Sequence, residues 1–279
     1  MKKLKRRTSL KNYLDDFKKM RVIAIASGKG GTGKSTLALN LGISLSQVGK
    51  KTLVIDADFA MANLGVMLGI ERAPISLHNV LMDEVTISEA FYDGPAGMKY
   101  VPAGLSIERI KRMNYDRLKD AVKQLKDFDF VLIDCAPGLE KDAVAGITSA
   151  QEVIIVMVPE PSSLADALKV KSFAEINNIK ITGIVTNFVT KDKSEIKKQD
   201  LETLMGAKVI VELPYDIEVK RAAGEQKPVI IKNPDSAFSN ALLDLTAFLS
   251  GVQTVKTQVK VKKSFLQNLM RGLTRLFKK

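Results

Sequence analysis

Apolar residues follow two different patterns along this chain, and the patterns predict its elements. Continuous apolar runs typical of buried strands cover residues 21–27, 52–55, 98–101, 130–134, 153–158, 180–187 and 209–213. Apolar residues at helical spacing cover 35–48, 64–69, 76–82, 115–126, 163–176 and, approximately, 216–223 and 235–249. Strands that alternate with helices in this way predict an α/β fold with a doubly wound, mostly parallel sheet. Such a sheet binds its ligands at the edge where the parallel strands end.

The composition agrees with a parallel sheet covered by helices. The chain has 279 residues, of which 46% are hydrophobic and only 6% aromatic, as suits a core of Val, Ile and Leu. No apolar run approaches the ~20 residues that span a bilayer, and no signal-peptide core follows the basic N-terminus. The single cysteine, Cys135, excludes an internal disulfide, indicates the cytosol and is most simply a small buried residue. His78 has no second His or Cys cluster to join, which predicts a satisfied or surface histidine rather than a metal ligand.

One glycine-rich stretch carries the clearest chemistry. Gly28 to Thr36 reads Gly-Lys-Gly-Gly-Thr-Gly-Lys-Ser-Thr and fits the P-loop pattern, with a predicted strand before it and a helix after it. Backbone N–H groups of such a loop converge on a polyphosphate, where the helix dipole also favours negative charge. The phosphate-binding residues predicted here are Gly30, Gly31, Thr32, Gly33, Lys34, Ser35 and Thr36. Within this set, Lys34 reaches the terminal phosphates and the Ser35 hydroxyl suits Mg²⁺, whereas an ordinary glycine turn would not need this spacing.

Carboxylates follow two of the predicted strands. Asp56 and Asp58 end the second strand near the P-loop, where a metal or an attacking water could lie, and the less favoured alternative for Asp58 alone is a capping Asp at the entry of a loop. Asp134 ends the apolar run Phe-Val-Leu-Ile-Asp, a Walker B pattern whose aspartate accepts bonds from Mg²⁺-bound water. The sequence therefore predicts a magnesium site formed by Ser35, Asp58 and Asp134.

Lys29 places a second lysine inside the P-loop, and from the residues alone it could serve the phosphates or face water. The motif closely resembles the deviant Walker A motif of the MinD/ParA family of ATPases. The segments 56–65 (DADFAMANLG) and 95–105 (PAGMKYVPAGL) are most similar to its MinD branch, the archaeal members in particular. The resemblance implies an ATP-gated homodimer in which Lys29 crosses the interface and touches the nucleotide of the other subunit.

The resemblance also implies roles for two switch segments. Asp58 matches the switch I aspartate that orients or activates the attacking water, and Asn63 matches an asparagine of the same switch. Ala60 stands where family members often have glycine, a change that removes no ligand. Residues 134–138 match switch II, in which the Gly138 N–H meets the γ-phosphate and a side chain would obstruct the approach.

A third set of residues concerns the base. Asn187 ends a predicted strand, and its amide can pair with a donor and an acceptor of adenine. It matches the adenine-contacting position of the family, and Pro214 and Asp216 match a loop beside the base. A guanine-specific site would instead show Asn/Thr-Lys-x-Asp, which residues 190–193 do not fit. The predicted cofactors are therefore ATP and Mg²⁺, and the predicted activity is ATP hydrolysis.

The net charge of +12 is concentrated at the two ends of the chain. Residues 1–20 carry a net +6 and residues 251–279 a net +8, which leaves the predicted ATPase domain, 21–250, at −2. By charge alone this domain is not a nucleic-acid surface, and the basic ends are typical of interaction segments. The extension 1–20 has apolar residues at helical spacing, which favours equally a helix packed on the domain and a contact with membrane or partner.

The C-terminal end is organised differently from the linker, 251–263, that precedes it. In residues 264–279 seven large apolar side chains fall within an arc of about 140°, with basic and polar residues opposite and no acid. Ser264 and Gln267 form a capping box that specifies the start of the helix. The pattern predicts an interfacial helix on an anionic membrane rather than a helix docked on the domain or a partner. It also resembles the C-terminal membrane-targeting helix of MinD proteins.

Together these features predict a cytoplasmic ATPase that is peripheral on the inner face of the cell membrane and dimerises with ATP. Its predicted role is spatial regulation of cell division or similar positioning, in concert with a protein partner that the sequence does not identify. The alternatives are a ParA-type partitioning ATPase and a regulator of motility-organelle placement. The near-neutral domain weighs against a nucleic-acid partner, and the lone cysteine against an iron–sulfur carrier.

Overall fold

The computed structural model describes residues 20–70, 73–104, 106–110 and 112–254. The predicted extension up to residue 19, most of the linker and the whole predicted membrane helix, 264–279, lie outside the described residues. Within the described part of the chain, no helix is both long and apolar enough to cross a bilayer.

One eight-stranded sheet forms the centre of the molecule. Its strands are β1 Arg21–Ala26, β2 Thr52–Ala57, β3 Tyr92–Asp93, β4 Lys99–Val101, β5 Phe130–Cys135, β6 Glu152–Met157, β7 Lys180–Val189 and β8 Val209–Pro214. Their spatial order is β3-β4-β2-β5-β1-β6-β7-β8, and every neighbouring pair is parallel except β3 with β4. The predicted doubly wound, mostly parallel sheet is thus confirmed. We call the side where the parallel strands begin the amino edge and the side where they end the carboxyl edge.

Helices cover both faces of the sheet. They are α1 Lys34–Gln47, α2 Leu64–Met67, α3 Leu77–Leu81, α4 Ile107–Ile110, α5 Arg117–Lys123, α6 Lys141–Thr148, α7 Pro161–Ile176, α8 Lys198–Met205, α9 Ile217–Gly224, α10 Val229–Lys232 and α11 Ala237–Ser250, with 3₁₀ turns at Ile87–Ala90 and Pro95–Gly97. On one face, α1, α9, α10 and α11 pack around one hydrophobic cluster. On the other face, α3, α5, α6, α7 and α8 pack around a second.

The central strands are apolar at nearly every position because both of their faces are covered. In β1, Val22 and Ala24 belong to one cluster, whereas Ile23 and Ile25 belong to the other. Successive side chains of a strand point to opposite faces, so a continuous apolar run supplies both clusters.

The predicted strands and helices agree with the structure to within a few residues, but several elements have no counterpart in the prediction. They are α4, α6, α8, α10 and β3. The sequence of α8, KQDLETLM, is mostly polar and buries only Leu201 and Met205, so its apolar stripe is too narrow to detect. The helix predicted at 115–126 is shorter, Arg117–Lys123, and Asp127 beyond it has a left-handed backbone, with φ 67°.

Candidate active site

The P-loop lies between β1 and α1 at the carboxyl edge, and close packing requires glycine at two of its positions. A Cβ on Gly28 would lie 2.2 Å from the carbonyl oxygen of Asp166, and one on Gly33 would lie 2.2 Å from Asn187 Nδ2. Gly33 also has φ 89° and precedes the first turn of α1 without a side-chain cap. The first-turn N–H groups of an α-helix have no partner within the helix. They are therefore free to bind an anion here.

Lys34 places a cation beside these N–H groups. Its side chain is 6% exposed, and its Nζ donates to Ser27 Oγ at 3.0 Å. Ser27 Oγ in turn donates to the carbonyl of Lys29 at 2.7 Å. Burial lowers the pKa of Lys34, and the carboxylates of Asp134 and Asp58 oppose the change. A buried ammonium with one hydroxyl partner has donors to spare, which suits a polyphosphate.

Asp134 is a buried carboxylate at the end of β5. It is fully buried, and neither carboxylate oxygen has a hydrogen-bond partner among the described residues. Burial raises its pKa to about 7, although the nearby Ser35 hydroxyl and the Lys34 ammonium oppose the rise. Oxygen donors with free lone pairs, next to a hydroxyl, fit Mg²⁺ held directly or through water. The hydroxyl oxygen of buried Thr32 has no hydrogen-bond partner among the described residues either, so a second polar group of the site could bind a ligand.

Asp58 lies in the loop after β2 and faces the same space. It is 7% exposed, and its Oδ1 accepts the N–H of Met61 at 3.0 Å. Burial raises the pKa of Asp58, whereas the Met61 N–H and the Lys34 ammonium lower it. A carboxylate that backbone N–H groups hold in place beside the Lys34 ammonium can orient a water molecule.

Asp56 has a role that the sequence did not assign. It lies opposite Asp134 in the β2–β5 register. Its Oδ2 accepts the N–H groups of Asn63 and Leu64, both at 3.1 Å, and its Oδ1 accepts that of Asp58 at 3.2 Å. Burial, and after it the charge of Asp134, raises the pKa of Asp56 well above its usual range. Asp56 therefore holds the switch I loop in its conformation. In the sequence, only the spacing of Asp56 and Asp58 pointed to this residue.

Phe59, the residue after Asp58, anchors this loop in the core. Its ring is buried and lies 5.5 Å from the ring of Tyr115 and 5.9 Å from that of His78, centroid to centroid. The expectation of a satisfied or surface histidine is wrong. His78 is 1% exposed and its Nε2 has no hydrogen-bond partner among the described residues. Burial and the charge of Arg109 lower its pKa, so it packs as a neutral ring.

The predicted γ-phosphate contact, Gly138, follows β5 in a left-handed conformation, with φ 80°. Its N–H donates to the carbonyl of Ser27 at 2.9 Å, which ties switch II to the P-loop. The predicted adenine contact, Asn187, is 3% exposed and donates from Nδ2 to the carbonyl of Thr32 at 2.9 Å. Both residues lie beside the P-loop, and their roles toward a nucleotide stay predictions.

The two residues assigned to a loop beside the base lie at the end of β8. Pro214 is the last residue of the strand, and Asp216 begins α9. One oxygen of Asp216 accepts the N–H of Glu218 at 2.9 Å, and the other accepts that of Phe238 at 3.0 Å. Asp216 thus joins the starts of two helices, a structural role that the sequence did not predict. Base contact remains a prediction for both residues.

Lys29 projects from the P-loop toward solvent. Its side chain is 49% exposed, and its Nζ lies 3.1 Å from Glu160 Oε1 and 3.4 Å from Ser162 Oγ. The ion pair lowers the pKa of Glu160. Within one chain, Lys29 therefore has an exposed partner of its own, which the sequence did not reveal.

Comparisons with known proteins agree with this geometry. The AAA_31 family model, described as an AAA domain, matches residues 20–183. An uncharacterized ATP-binding protein of Methanocaldococcus jannaschii is 38% identical over 252 residues, which cover 90% of this chain and 96% of that protein. The crystal structure of the Pyrococcus furiosus cell division ATPase MinD has a TM-score of 0.79 at 33% identity, and covers 83% of this chain and 98% of its own.

A second solved structure includes ligands. The septum site-determining protein MinD of Pyrococcus horikoshii, complexed with Mg-ADP, has a TM-score of 0.80 at 30% identity. The similarity covers 86% of this chain and all of that one.

Proposed function

Because this chain belongs to the MinD/ParA family of P-loop ATPases, we propose that it hydrolyses ATP, dimerises with ATP and acts on the membrane as a spatial regulator of cell division. One observation carries the enzymatic part of the proposal. Lys34, Asp58 and Asp134 lie together at the carboxyl edge, and neither oxygen of Asp134 has a hydrogen-bond partner in the part of the chain that the structure describes. Three ionisable groups that are buried close together, with no hydrogen bond or ion pair between them, are typical of a ligand site.

Each residue has a defined task in this proposal. The N–H groups of the P-loop and the Lys34 ammonium would bind the phosphates. Ser35 and Asp134 would hold Mg²⁺ directly or through its water, and the bound ion supplies charge neutralisation for phosphoryl transfer. Asp58, kept in place by the Met61 N–H and by packing of Phe59, would orient the attacking water. Asp56 keeps the loop that carries Asp58 in this conformation.

The dimer would form through Lys29. Its ion pair with Glu160 is exposed, and exposed ion pairs contribute little, ~0–1 kcal/mol. Little free energy is therefore lost when Lys29 leaves Glu160 for a phosphate of a nucleotide on a second subunit. A protein partner would then recognise the dimer, and its identity is open.

The membrane would be bound through residues 264–279. Burial of seven large apolar side chains could release at most about 10–20 kcal/mol. Ordering of the helix backbone opposes this by ~1–2 kcal/mol per residue. One segment is therefore near balance, whereas the two segments of a dimer bind more tightly through effective concentration.

The two alternatives remain part of the proposal's test. A ParA-type partitioning ATPase would need a basic surface for DNA, and the domain 21–250 has a net charge of −2. A regulator of motility-organelle placement would share the ATPase and the membrane segment. The division site is preferred because two solved relatives at 30% identity or more are a cell division ATPase and a septum site-determining protein.

Sedimentation with anionic liposomes, in ATP and in ADP, tests the proposal. We expect ATP to bring the protein into the pellet and ADP to leave most of it in the supernatant. Leu269→Glu places a charge in the apolar arc and should abolish sedimentation without changing ATP affinity. Thr274→Glu adds the same charge on the polar face and is the matched control. Equal sedimentation in both nucleotides, or wild-type behaviour of Leu269→Glu, would contradict the proposal.

A further inference from the structure

Exposed lysines mark the amino edge of the sheet. Lys51 precedes β2, Lys126 precedes β5 and Lys208 precedes β8, and all three side chains are exposed. None of these three forms an ion pair with another residue of the described ranges. Lys180, which begins β7, is also exposed and contacts Glu152 at 3.4 Å. Cations therefore lie along the edge from β2 to β8.

The acids of the same edge are mostly engaged. The carboxylate of Glu152 is 10% exposed and accepts from Arg21 and from Thr182. Glu175 pairs with Lys171 at 2.6 Å, and Asp129 accepts the backbone N–H of Lys51 at 2.8 Å. Asp127, beside Lys126, and Asp129 keep their negative charge here. Around the starts of the strands from β2 to β8, the cations Arg21, Lys51, Lys126, Lys180 and Lys208 nevertheless outnumber the acids Asp127, Asp129 and Glu152, although the domain as a whole is slightly acidic.

Two large apolar side chains stand among these lysines. Ile176, at the end of α7, is 79% exposed, and Phe248, near the end of α11, is 57% exposed. Phe248 borders a groove of about 600 Å³ between the starts of β7 and β8, together with Ile179, Ala207 and Lys208. Single exposed apolar side chains are common on protein surfaces, but Phe248 stands at the rim of a groove that Lys208 also lines, an arrangement that suits an interaction surface.

Both ends of the described chain leave the domain at this edge. Arg21 begins β1, and its Nη1 donates to the carbonyl of Leu249 in the last turn of α11 at 2.9 Å. Residues 1–20, with a net charge of +6, and 251–279, with +8, are therefore attached side by side. Any surface that binds either segment comes close to the amino edge.

We propose that the amino edge is a second lipid-binding surface, on which Lys51, Lys126 and Lys208 contact anionic headgroups while Phe248 and Ile176 enter the interfacial layer. The inference rests on the membrane association proposed above and adds an orientation to it. The carboxyl edge, with the nucleotide, faces away from the bilayer. Lipid fits better than nucleic acid because an isolated Phe and Ile gain by leaving water for an interface, which a phosphate backbone does not offer.

Tryptophan fluorescence can test this contact directly because the chain contains no tryptophan. Phe248→Trp places a single fluorophore at the amino edge. Tyr215→Trp places one at the carboxyl edge, where Tyr215 follows β8 and is 59% exposed, and is the matched control. With ATP and anionic liposomes whose acyl chains carry bromine, we expect strong quenching and a blue shift at position 248 and neither at position 215.

Charge removal gives a second measurement. Lys51→Gln with Lys208→Gln removes two unpaired cations from the amino edge. Lys193→Gln with Lys197→Gln removes two exposed lysines from the loop after β7, at the opposite edge. Each lysine near an anionic surface contributes ~1 kcal/mol, so the first pair should weaken liposome binding roughly 10- to 30-fold. The second pair should leave it unchanged.

The outcomes separate this inference from the proposed function. If the wild type sediments with ATP and Leu269→Glu does not, while position 248 is unquenched, the C-terminal segment binds alone and the amino-edge inference is overturned. Equal effects of the two lysine pairs overturn it as well. Absence of wild-type sedimentation refutes both. A response of position 248 to duplex DNA but not to liposomes would instead make the amino edge a nucleic-acid surface.

Discussion

Two buried carboxylates in the same sheet have pKa values shifted in opposite directions. Glu152, at the amino edge, accepts from Arg21 Nε and Nη2 at 2.8 Å each and from Thr182 at 2.7 Å, and these partners lower its pKa to about 2 despite burial. Asp134, at the carboxyl edge, has no hydrogen-bond partner among the described residues, and burial raises its pKa to about 7. Burial is common to both, so the partners decide the difference.

The comparison separates residues that stabilise the fold from residues that await a ligand. A buried charge with all of its partners contributes to the folded state, whereas one without partners opposes it. Asp56 is intermediate, because its oxygens accept three backbone N–H groups and yet its pKa is raised by burial and by Asp134. The carboxyl edge is therefore held at a cost in stability that a nucleotide with Mg²⁺ would offset.

The largest effect expected at the carboxyl edge is on catalysis. Asp58→Ala removes the carboxylate that would orient the attacking water but leaves Lys34 and the P-loop in place. A lost general acid–base group typically lowers the rate 10²- to 10⁴-fold. We expect kcat for ATP hydrolysis to fall by that range while the Kd for ATP changes less than about threefold.

Asp142→Asn is the matched control for Asp58→Ala. Asp142, in the first turn of α6, influences the pKa of Asp58, and its Oδ1 accepts the N–H of the neighbouring Ala143 at 2.8 Å. Its variant should keep nearly full activity. Full turnover by Asp58→Ala would remove Asp58 from the catalytic role.

At the amino edge, Glu152→Gln should cause the largest loss of stability. It leaves Arg21, whose side chain is 27% exposed, without its carboxylate partner. Breaking a fully buried pair costs about 3–5 kcal/mol, so roughly 2–4 kcal/mol is expected for this partly exposed one. Urea unfolding at pH 7 measures the change, and Glu175→Gln, in an exposed pair, should change stability by less than about 0.5 kcal/mol.

The pH dependence of this variant follows from the sign of the pKa shift. The folded pKa of Glu152, about 2, lies below its unfolded value near 4.5. Its contribution is therefore present above pH 4.5 and is lost as the pH falls toward 2. The stability difference between wild type and Glu152→Gln should accordingly shrink over that window. A stability difference that stays constant down to pH 2.5 would mean that Glu152→Gln destabilises the protein by altering packing and not by removing the ion pair with Arg21.

In the absence of nucleotide and Mg²⁺, Asp134→Asn should raise the stability of the fold, whereas Glu152→Gln lowers it. The folded pKa, about 7, lies above the unfolded value near 3.8, so the penalty of this carboxylate grows as the pH rises from about 3.8 to about 7 and is complete above that. The amide does not ionise. We expect the variant to gain on the order of 1–3 kcal/mol over the wild type at pH 8 and little at pH 4.

Loss of Mg²⁺-dependent ATP hydrolysis should accompany this gain in stability. The two changes together would show that the Asp134 carboxylate serves ligand binding and does not stabilise the fold. A variant that is less stable than the wild type at pH 8 would contradict the comparison on which this prediction rests.

The sequence predicted what is local and missed what depends on distant pairing. The P-loop, the Walker B aspartate and the alternation of strands and helices are contiguous patterns, and each lies where it was expected. The Arg21–Glu152 pair joins residues 131 positions apart, and only the β1–β6 register brings them together. For the same reason the partner of Lys29, Glu160, was not foreseen. Helices with narrow apolar stripes, such as α8, were missed because packing rather than period determines them.

Side-chain roles at the site show the same limit. The spacing of Asp56 and Asp58 predicted carboxylates at the strand end, but not that Asp56 would fold back onto Asn63 and Leu64. The lone His78 gave no sign that it would pack against Phe59. Such contacts depend on the conformation of loops, which one-dimensional patterns do not contain.

The smallest effect on stability, and the most informative about the dimer, concerns Lys29. Its ion pair with Glu160 is about half exposed on both sides, so Lys29→Ala should change the unfolding free energy by less than about 1 kcal/mol. If Lys29 reaches the nucleotide of a second subunit, the same variant should lose the ATP-dependent dimer. Light scattering with ATP, on the Asp58→Ala background that prevents turnover, measures both states.

Glu160→Gln separates the two possible reasons for such a loss. This variant also breaks the ion pair, but it leaves the lysine charged and free. If Lys29 acts across the interface, Glu160→Gln should dimerise with ATP at the same or a lower protein concentration than its parent. If both variants lose the dimer, dimerisation depends on the Lys29–Glu160 ion pair within one chain. Lys29 would then resemble Arg21, which is paired with Glu152 in its own chain, and not Asp134, which has no such partner among the described residues.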